Sequence, residues 1–265
     1  MQNHRTLVPL LAAAACILLG SVAALPSHAQ AFDVYAGYDL FQTTTGTNFL
    51  GTPLQGVPLG TYNFGGTVGV QNVGNTDTII QRTVNAGPSS LGGTFTTPLV
   101  MNALSMVTSV PTTFGGALPL NTYYIFLNPA VPSTGSMDIT YGSATSGTFN
   151  SSLTVNFDIG TAPNDPGSAV FSGSSLLTST GNAWNNIAPP HAVLINGVDY
   201  NLNGGTNAND FWPITPFSET HPSGVTHVVT TAQAAVDTPE PGSLAFIAAS
   251  SMCGISLIRR RRRTR

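Results

Sequence analysis

The chain has 265 residues, 28 of them Gly and 19 Pro, and only 7% carry charge. Turn formers at that level are abundant, yet stay below the roughly 25–30% that marks a disordered low-complexity chain. All eight basic residues are arginines, and away from the two ends a single one, Arg82, stands against eleven acids from Asp33 to Glu240. The formal net charge of −3 therefore conceals a body near −10 and a basic tail. This distribution disfavours a nucleic-acid-binding face, which needs positive charge spread over folded surface. Both cysteines, Cys16 and Cys253, lie in apolar terminal segments. The body can hold neither a disulfide framework nor a thiolate metal site.

At the N-terminus Arg5 precedes an apolar run, Leu7 to Leu19, and small residues follow at Ser27, Ala29 and Ala31. This charged, apolar, small-residue order predicts a secretory signal peptide over 1–29, cut after Ala29 or after Ala31, with export through the Sec translocon. An uncleaved signal anchor is the alternative, against which the run is short for a membrane span.

The body that follows, 30–231, reads as strands and turns. Expected strands in chain order are Tyr62 to Phe64, Thr67 to Gln71, Thr78 to Val84, Leu99 to Val107 and Thr122 to Leu127. Ser136 to Tyr141 alternates, with Met137, Ile139 and Tyr141 opposed to Asp138 and Thr140. The longest alternation puts Phe149, Ser151, Leu153, Val155, Phe157 and Ile159 on one side, and Asn150, Ser152, Thr154, Asn156 and Asp158 on the other. Period two sustained that long predicts a strand with one wet face. Ala192 to Ile195 and Val198 to Leu202 flank Asn196-Gly197, a strong hairpin signal, and Val225 to Thr231 is the last strand expected. Many short strands with no helices between them predict one all-β domain, an antiparallel β-sandwich or jelly roll. Residues 232–238 read as a linker.

Chemistry is sparse in this body. Asp158 with Asp165, and Asp199 with Asp210, flank loops, but acids among Asn, Gly and Pro are mostly turn formers. Asn207, Asn209 and Asp210 offer hard oxygen ligands suited to calcium, without the EF-hand spacing. Glu219, His221 and His227 could ligate zinc, but a structural or solvent-facing role fits their Pro-bounded loop and strand context better. No metal or other cofactor is expected. Trp184 and Trp212 are the candidates for a glycan-stacking platform, against the commoner role of tryptophan as core or rim filler. No Gly-x-Ser-x-Gly elbow stands in a strand–turn–helix context.

The C-terminus carries the most specific pattern: Pro239-Glu240-Pro241, an apolar stretch Ser243 to Ile258, then Arg259, Arg260, Arg261, Arg262 and Arg263. Sixteen helical residues span roughly 24 Å, short of a hydrocarbon core of about 30 Å. An arginine block behind an apolar run stays cytoplasmic, which places the body on the far side of the membrane. The three parts, in this order over 239–265, resemble the PEP-CTERM sorting signal. The resemblance covers about a tenth of the chain and implies a Gram-negative exported protein whose tail is a transmembrane sorting helix recognised by an exosortase, a membrane transpeptidase. It also implies tail removal near the motif and retention at the cell surface or in extracellular polysaccharide. The expected function is thus that of a non-enzymatic sorted surface protein; the alternative is a secreted carbohydrate-binding or glycan-hydrolysing module using the same address.

Overall fold

The computed structural model describes residues 32–234 apart from 115, 196–209 and 215. The strands are β1 (Phe32–Val34), β2 (Gly37–Thr43), β3 (Asn48–Phe49), β4 (Thr52–Gly56), β5 (Gly60–Asn63), β6 (Val70–Gly74), β7 (Thr78–Arg82) and β8 (Ala86–Ser89). They continue with β9 (Thr94–Thr108), β10 (Tyr124–Leu127), β11 (Ser133–Ser143), β12 (Ser146–Gly160), β13 (Ala169–Asn185), β14 (Trp212–Pro213), β15 (Phe217–His221) and β16 (Val225–Thr231). A 3-10 turn, Pro166–Ser168, is capped by the Asp165 carboxylate on the Gly167 amide.

The expected all-β, antiparallel architecture is present, but the sandwich is not. Eight strands close on themselves in the order β9-β11-β12-β13-β15-β16-β2-β7, and β7 returns to β9. The long alternation is β12, and its Phe149, Ser151, Leu153, Val155, Phe157 and Ile159 all point into the barrel. Alternation records only that one face of a strand is buried, which a sandwich and a barrel require equally. What closes the barrel is non-local pairing: Ile79 opposite Ala103, and Thr43 opposite Val229. Register shifts between Ile79 and Ile80 and between Phe149 and Ser151 mark irregularities of the kind that bend strands, and closure removes the edges an open sheet would expose.

Two of the barrel's positions are filled in tandem. β10 and β11 run in the same direction between β9 and β12, each pairing with a different stretch of both. The β3–β4 hairpin likewise spans from β16 to β9 beside the β2–β7 pair. Its two-residue turn places Leu50 at φ 51° and Gly51 at φ 81°, both in the left-handed region that such hairpin turns demand.

An eight-stranded barrel is just wide enough for its own side chains to fill it. Here an aromatic chain crosses the interior: Tyr141 meets Trp184 edge-on, Trp184 stacks on Phe211, and Phe211 meets Phe149. A second cluster lies outside the barrel, where Leu40, Val73, Val193, Ile195 and Ala232 pack with Tyr38, Tyr62 and Phe64 under the β5–β6 hairpin. Ala192–Ile195 forms no strand; Ala192 makes one isolated bridge to Gln233, and the Asn196-Gly197 hairpin falls outside the described residues. The chain also stays packed beyond Thr231. Ala232 is fully buried, its amide bonds Leu40 O, and the Ala234 amide bonds His191 O, so 232–234 belongs to the body rather than to a linker. No helix among the described residues is long and apolar enough to cross a membrane, and Ser243 to Ile258 lies outside them.

Candidate functional site

The barrel interior contains charge, contrary to what its apolar wall would suggest. On β15 and β16 the inward residues are Phe217 and Glu219, and Val225, His227 and Val229. Glu219 and His227 are directly opposed in register, so alternation brings both side chains inward together. His227 Nδ1 stands 3.5 Å from Glu219 Oε2, with 2% and 1% of the two residues exposed. On its other side His227 Nε2 lies 3.2 Å from Thr43 Oγ1, at the end of β2. Thr43 in turn donates its hydroxyl proton to Asp77 Oδ1 at 2.9 Å, and its amide bonds Asp77 Oδ2 at 2.7 Å. Beyond Glu219 the chain continues: Ser151 Oγ donates to Glu219 Oε1 at 3.2 Å and lies 2.7 Å from Ser179 Oγ. One relay therefore ties β2, β16, β15, β12 and β13 together through polar groups.

Asp77 sits where space is tight: a Cβ on Gly56 would collide with its carboxylate, so Gly56 is required there. Burial raises the Asp77 carboxyl above its ordinary value, opposed by the hydrogen bonds from Thr43 and Thr78 and by His227. With Asp77 ionised, the Thr43 hydroxyl gives its one proton to that carboxylate, and the imidazole can meet the oxygen only as donor. This is the reverse of the hydroxyl-to-imidazole arrangement that activates a nucleophile. The relay as built holds strands. Next to Thr43 an open concavity of about 500 Å³ is lined by Thr45, Thr47, Pro53, Gln55 and Ser109, a neutral, hydroxyl- and amide-bearing surface.

A second buried charge lies elsewhere in the barrel. Arg82 Nε and Nη2 donate to the Asp39 carboxylate at 3.0 Å, and Nη1 donates to Tyr35 O. The guanidinium carbon stands 5.1 Å over the Phe211 ring, a cation–π placement within a site where Arg82 is 1% exposed. Burial raises the Asp39 carboxyl, with Arg82 pulling it back. Nearby, burial pushes the Tyr141 phenol up to about 12; its hydroxyl donates to Ala86 O and accepts from the Val34 amide, pinning the β1–β8 pair to β11.

The sequence-derived candidates fare unevenly. Trp184 is 0% exposed and Trp212 5%, so neither ring offers a face to a glycan; Trp184 instead joins the aromatic chain of the interior. Asp158 is buried and holds Asn128 and Ser172, while Asp165 caps the 3-10 turn, so both acids serve local structure. Asp210 is fully buried, and its calcium companions Asn207 and Asn209, like Asp199, lie outside the described residues. Glu219 and His227 do meet; His221 instead bonds Ser223 at the hairpin tip. Among the described residues no three His, Cys, Asp or Glu side chains converge on a metal-sized site. Pro239, Glu240, Pro241, the arginine block and the Ala29 and Ala31 cleavage positions all lie outside the described residues.

Sequence reasoning passed over Thr43, Asp77 and the Arg82–Asp39 pair. A signal existed for the pair: the body's one base, embedded in the apolar run Ile79-Ile80-Gln81-Arg82, must find a carboxylate if that run is buried. Thr43 and Asp77 carry no such mark. Comparison with known proteins gives no match to any family model, curated protein or solved structure.

Proposed function

We propose that this chain is a non-enzymatic exported protein of a Gram-negative bacterium, sorted through its C-terminal signal by an exosortase and retained at the cell surface or in the exopolysaccharide matrix. The observation that carries the reading is the ordered triplet Pro239-Glu240-Pro241, Ser243 to Ile258 and Arg259 to Arg263 behind a body with a single arginine. The surface of the body supports it. Outward residues of β9, β11 and β12 form hydroxyl and amide rows, with Thr94 Oγ1 2.7 Å from Thr140 Oγ1 and Asn150, Ser152 and Thr154 alternating outward beside them. Asp138, which accepts from Thr96, adds a carboxylate to these rows, and such a polar, hydrogen-bonding exterior suits a hydrated polysaccharide surrounding. Burial of Trp184 and Trp212 removes the aromatic platform on which the glycan-binding alternative rested.

Deleting Pro239 to Arg265 tests the proposal in the native host. Loss of surface retention, with the barrel's melting unchanged, is the expected outcome; unchanged localisation would overturn it. The intact mass of the native product sharpens the result. A species running from about residue 30 or 32 to near Pro241 is expected, and one still carrying the arginine block would make the tail a permanent anchor.

A further inference from the structure

Beyond the last β2–β7 rung, where Phe41 faces Thr78, β4 takes over the pairing with β9 from Gly56 to Leu54. β2 and β4 do not pair with each other, and the gap between the 43–47 segment and β4 is the open concavity of about 500 Å³. Asp77 bridges one end of it, its carboxylate lying against Gly56 and bonded to the Thr43 amide and hydroxyl. The walls are held from behind. The Thr47 hydroxyl donates to Val228 O and accepts from the Val228 amide, the Thr44 amide donates to Val228 O, and the Ser109 amide donates to Pro53 O. Thr45, Gln55 and Ser109 line the concavity, are exposed, and make no side-chain hydrogen bond among the described residues. The lining carries no charged group and no aromatic ring.

We propose that this concavity binds a neutral sugar unit, weakly, and that it is where the body touches the polysaccharide around it. The second half rests on the retention proposed above; the binding itself does not. The chemistry of the walls narrows the ligand by elimination. A cation finds no open carboxylate, because Asp77 is 2% exposed and both its oxygens already accept hydrogen bonds from Thr43 and Thr78. An anion finds no positive group in the lining and meets the Asp77 carboxylate behind Thr43. A peptide strand finds no free ladder on this side of β2, since the Phe41 carbonyl and the Thr43 amide are both taken by Asp77. What stays free is two hydroxyls and one primary amide, each able to donate and to accept, beside the exposed Pro53 ring. A sugar matches that set, with hydroxyls that donate and accept and C–H faces for the proline. The volume falls within the roughly 300–1,000 Å³ of small-molecule sites. Lacking an aromatic face to stack on, one site is weak, and a polymer of repeated units raises retention through avidity.

Amide chemical shifts of the full chain in mild detergent test the proposal. The probes are the methyl glycosides of glucose, galactose and mannose, and that of glucuronate at matched ionic strength, each titrated to about 100 mM. At least one neutral glycoside is expected to give saturating shifts confined to Thr45, Gly46, Gln55, Ser109 and their neighbours, with glucuronate giving none there. Gln55→Ala/Ser109→Ala should weaken that binding about fivefold or more, and the fold should survive because neither side chain is bonded within the body. Ser152→Ala/Thr154→Ala, on the outward face of β12, should leave it unchanged. No saturating shift with any of the three neutral glycosides, an equal response to glucuronate, or binding indifferent to the Gln55/Ser109 pair would each overturn the site. A protein that is sorted and retained yet binds no glycoside loses this site alone, whereas one that binds a glycoside but keeps its localisation without Pro239 to Arg265 loses the sorting proposal alone.

Discussion

The two walls of the barrel are filled by different means. The wall built from β9, β11 and β12 presents Leu99, Met101, Ile139, Leu153, Val155 and Phe157 inward, an almost wholly apolar lining. The wall built from β2, β7, β15 and β16 presents Asp39, Arg82, Glu219, His227 and Thr43 among its apolar residues. Apolar packing is non-directional and approximately additive in buried area. Buried charge is all-or-none, because removing one partner leaves the other desolvated and alone. The apolar wall should therefore degrade gradually under substitution and the polar wall abruptly.

The sharpest way to break that comparison is at Arg82. Arg82→Met leaves the buried Asp39 without its guanidinium and should cost about 3–5 kcal/mol in denaturant unfolding. Adding Asp39→Leu removes the stranded carboxylate and should recover most of the loss. If the single and double variants are equally destabilised, the pair matters through packing and the contrast fails.

On the apolar wall, Leu153→Ala should cost about 2–4 kcal/mol, since Leu153 is fully buried in the middle of β12. Leu153→Met conserves volume and should cost under about 1.5 kcal/mol by the same measurement. A methionine as damaging as alanine would show that shape, rather than buried area, governs this wall.

The smallest effect concerns pH at Asp77. Its carboxyl is raised in the folded chain, so the unfolded chain releases its proton first as pH climbs. That contribution to stability is complete below the ordinary carboxylate value near 3.8 and is lost as pH rises through the folded value. Asp77→Asn has no carboxyl to titrate at this position. Its stability should fall less steeply above pH about 4, by at most about 1.4 kcal/mol per pH unit relative to the wild type. Parallel pH profiles for the two proteins would contradict the raised carboxyl.

Legibility in the sequence follows the same division. β12 and β16 are readable because their inward residues are large and apolar and their outward ones polar, so the period of two survives in the letters. β13 is the longest strand and yet escapes that reading. Its inward positions run Ser175, Leu177, Ser179, while Leu176 points outward, so hydrophobicity does not track the pleat. Of these serines Ser179 meets the relay, bonded to Ser151. The relay itself was half legible. Glu219 and His227 stand at strand positions whose neighbours of the same parity, Phe217, Val225 and Val229, are core residues. Thr43 and Asp77 look like any turn-flanking threonine and aspartate.

By itself the sequence determined that the body is β throughout, which face of its most regular strands is buried, and that the only dense positive charge lies in the terminal arginine block. Those properties live in local periodicity and composition, where each residue's preference is expressed without reference to distant ones. Only the tertiary structure decided that the sheet closes into a barrel, that the tryptophans are buried, and that a relay of polar side chains threads its interior. Each of these depends on pairing between segments far apart in the chain, such as Thr43 with His227, and no local pattern encodes which strand becomes whose neighbour.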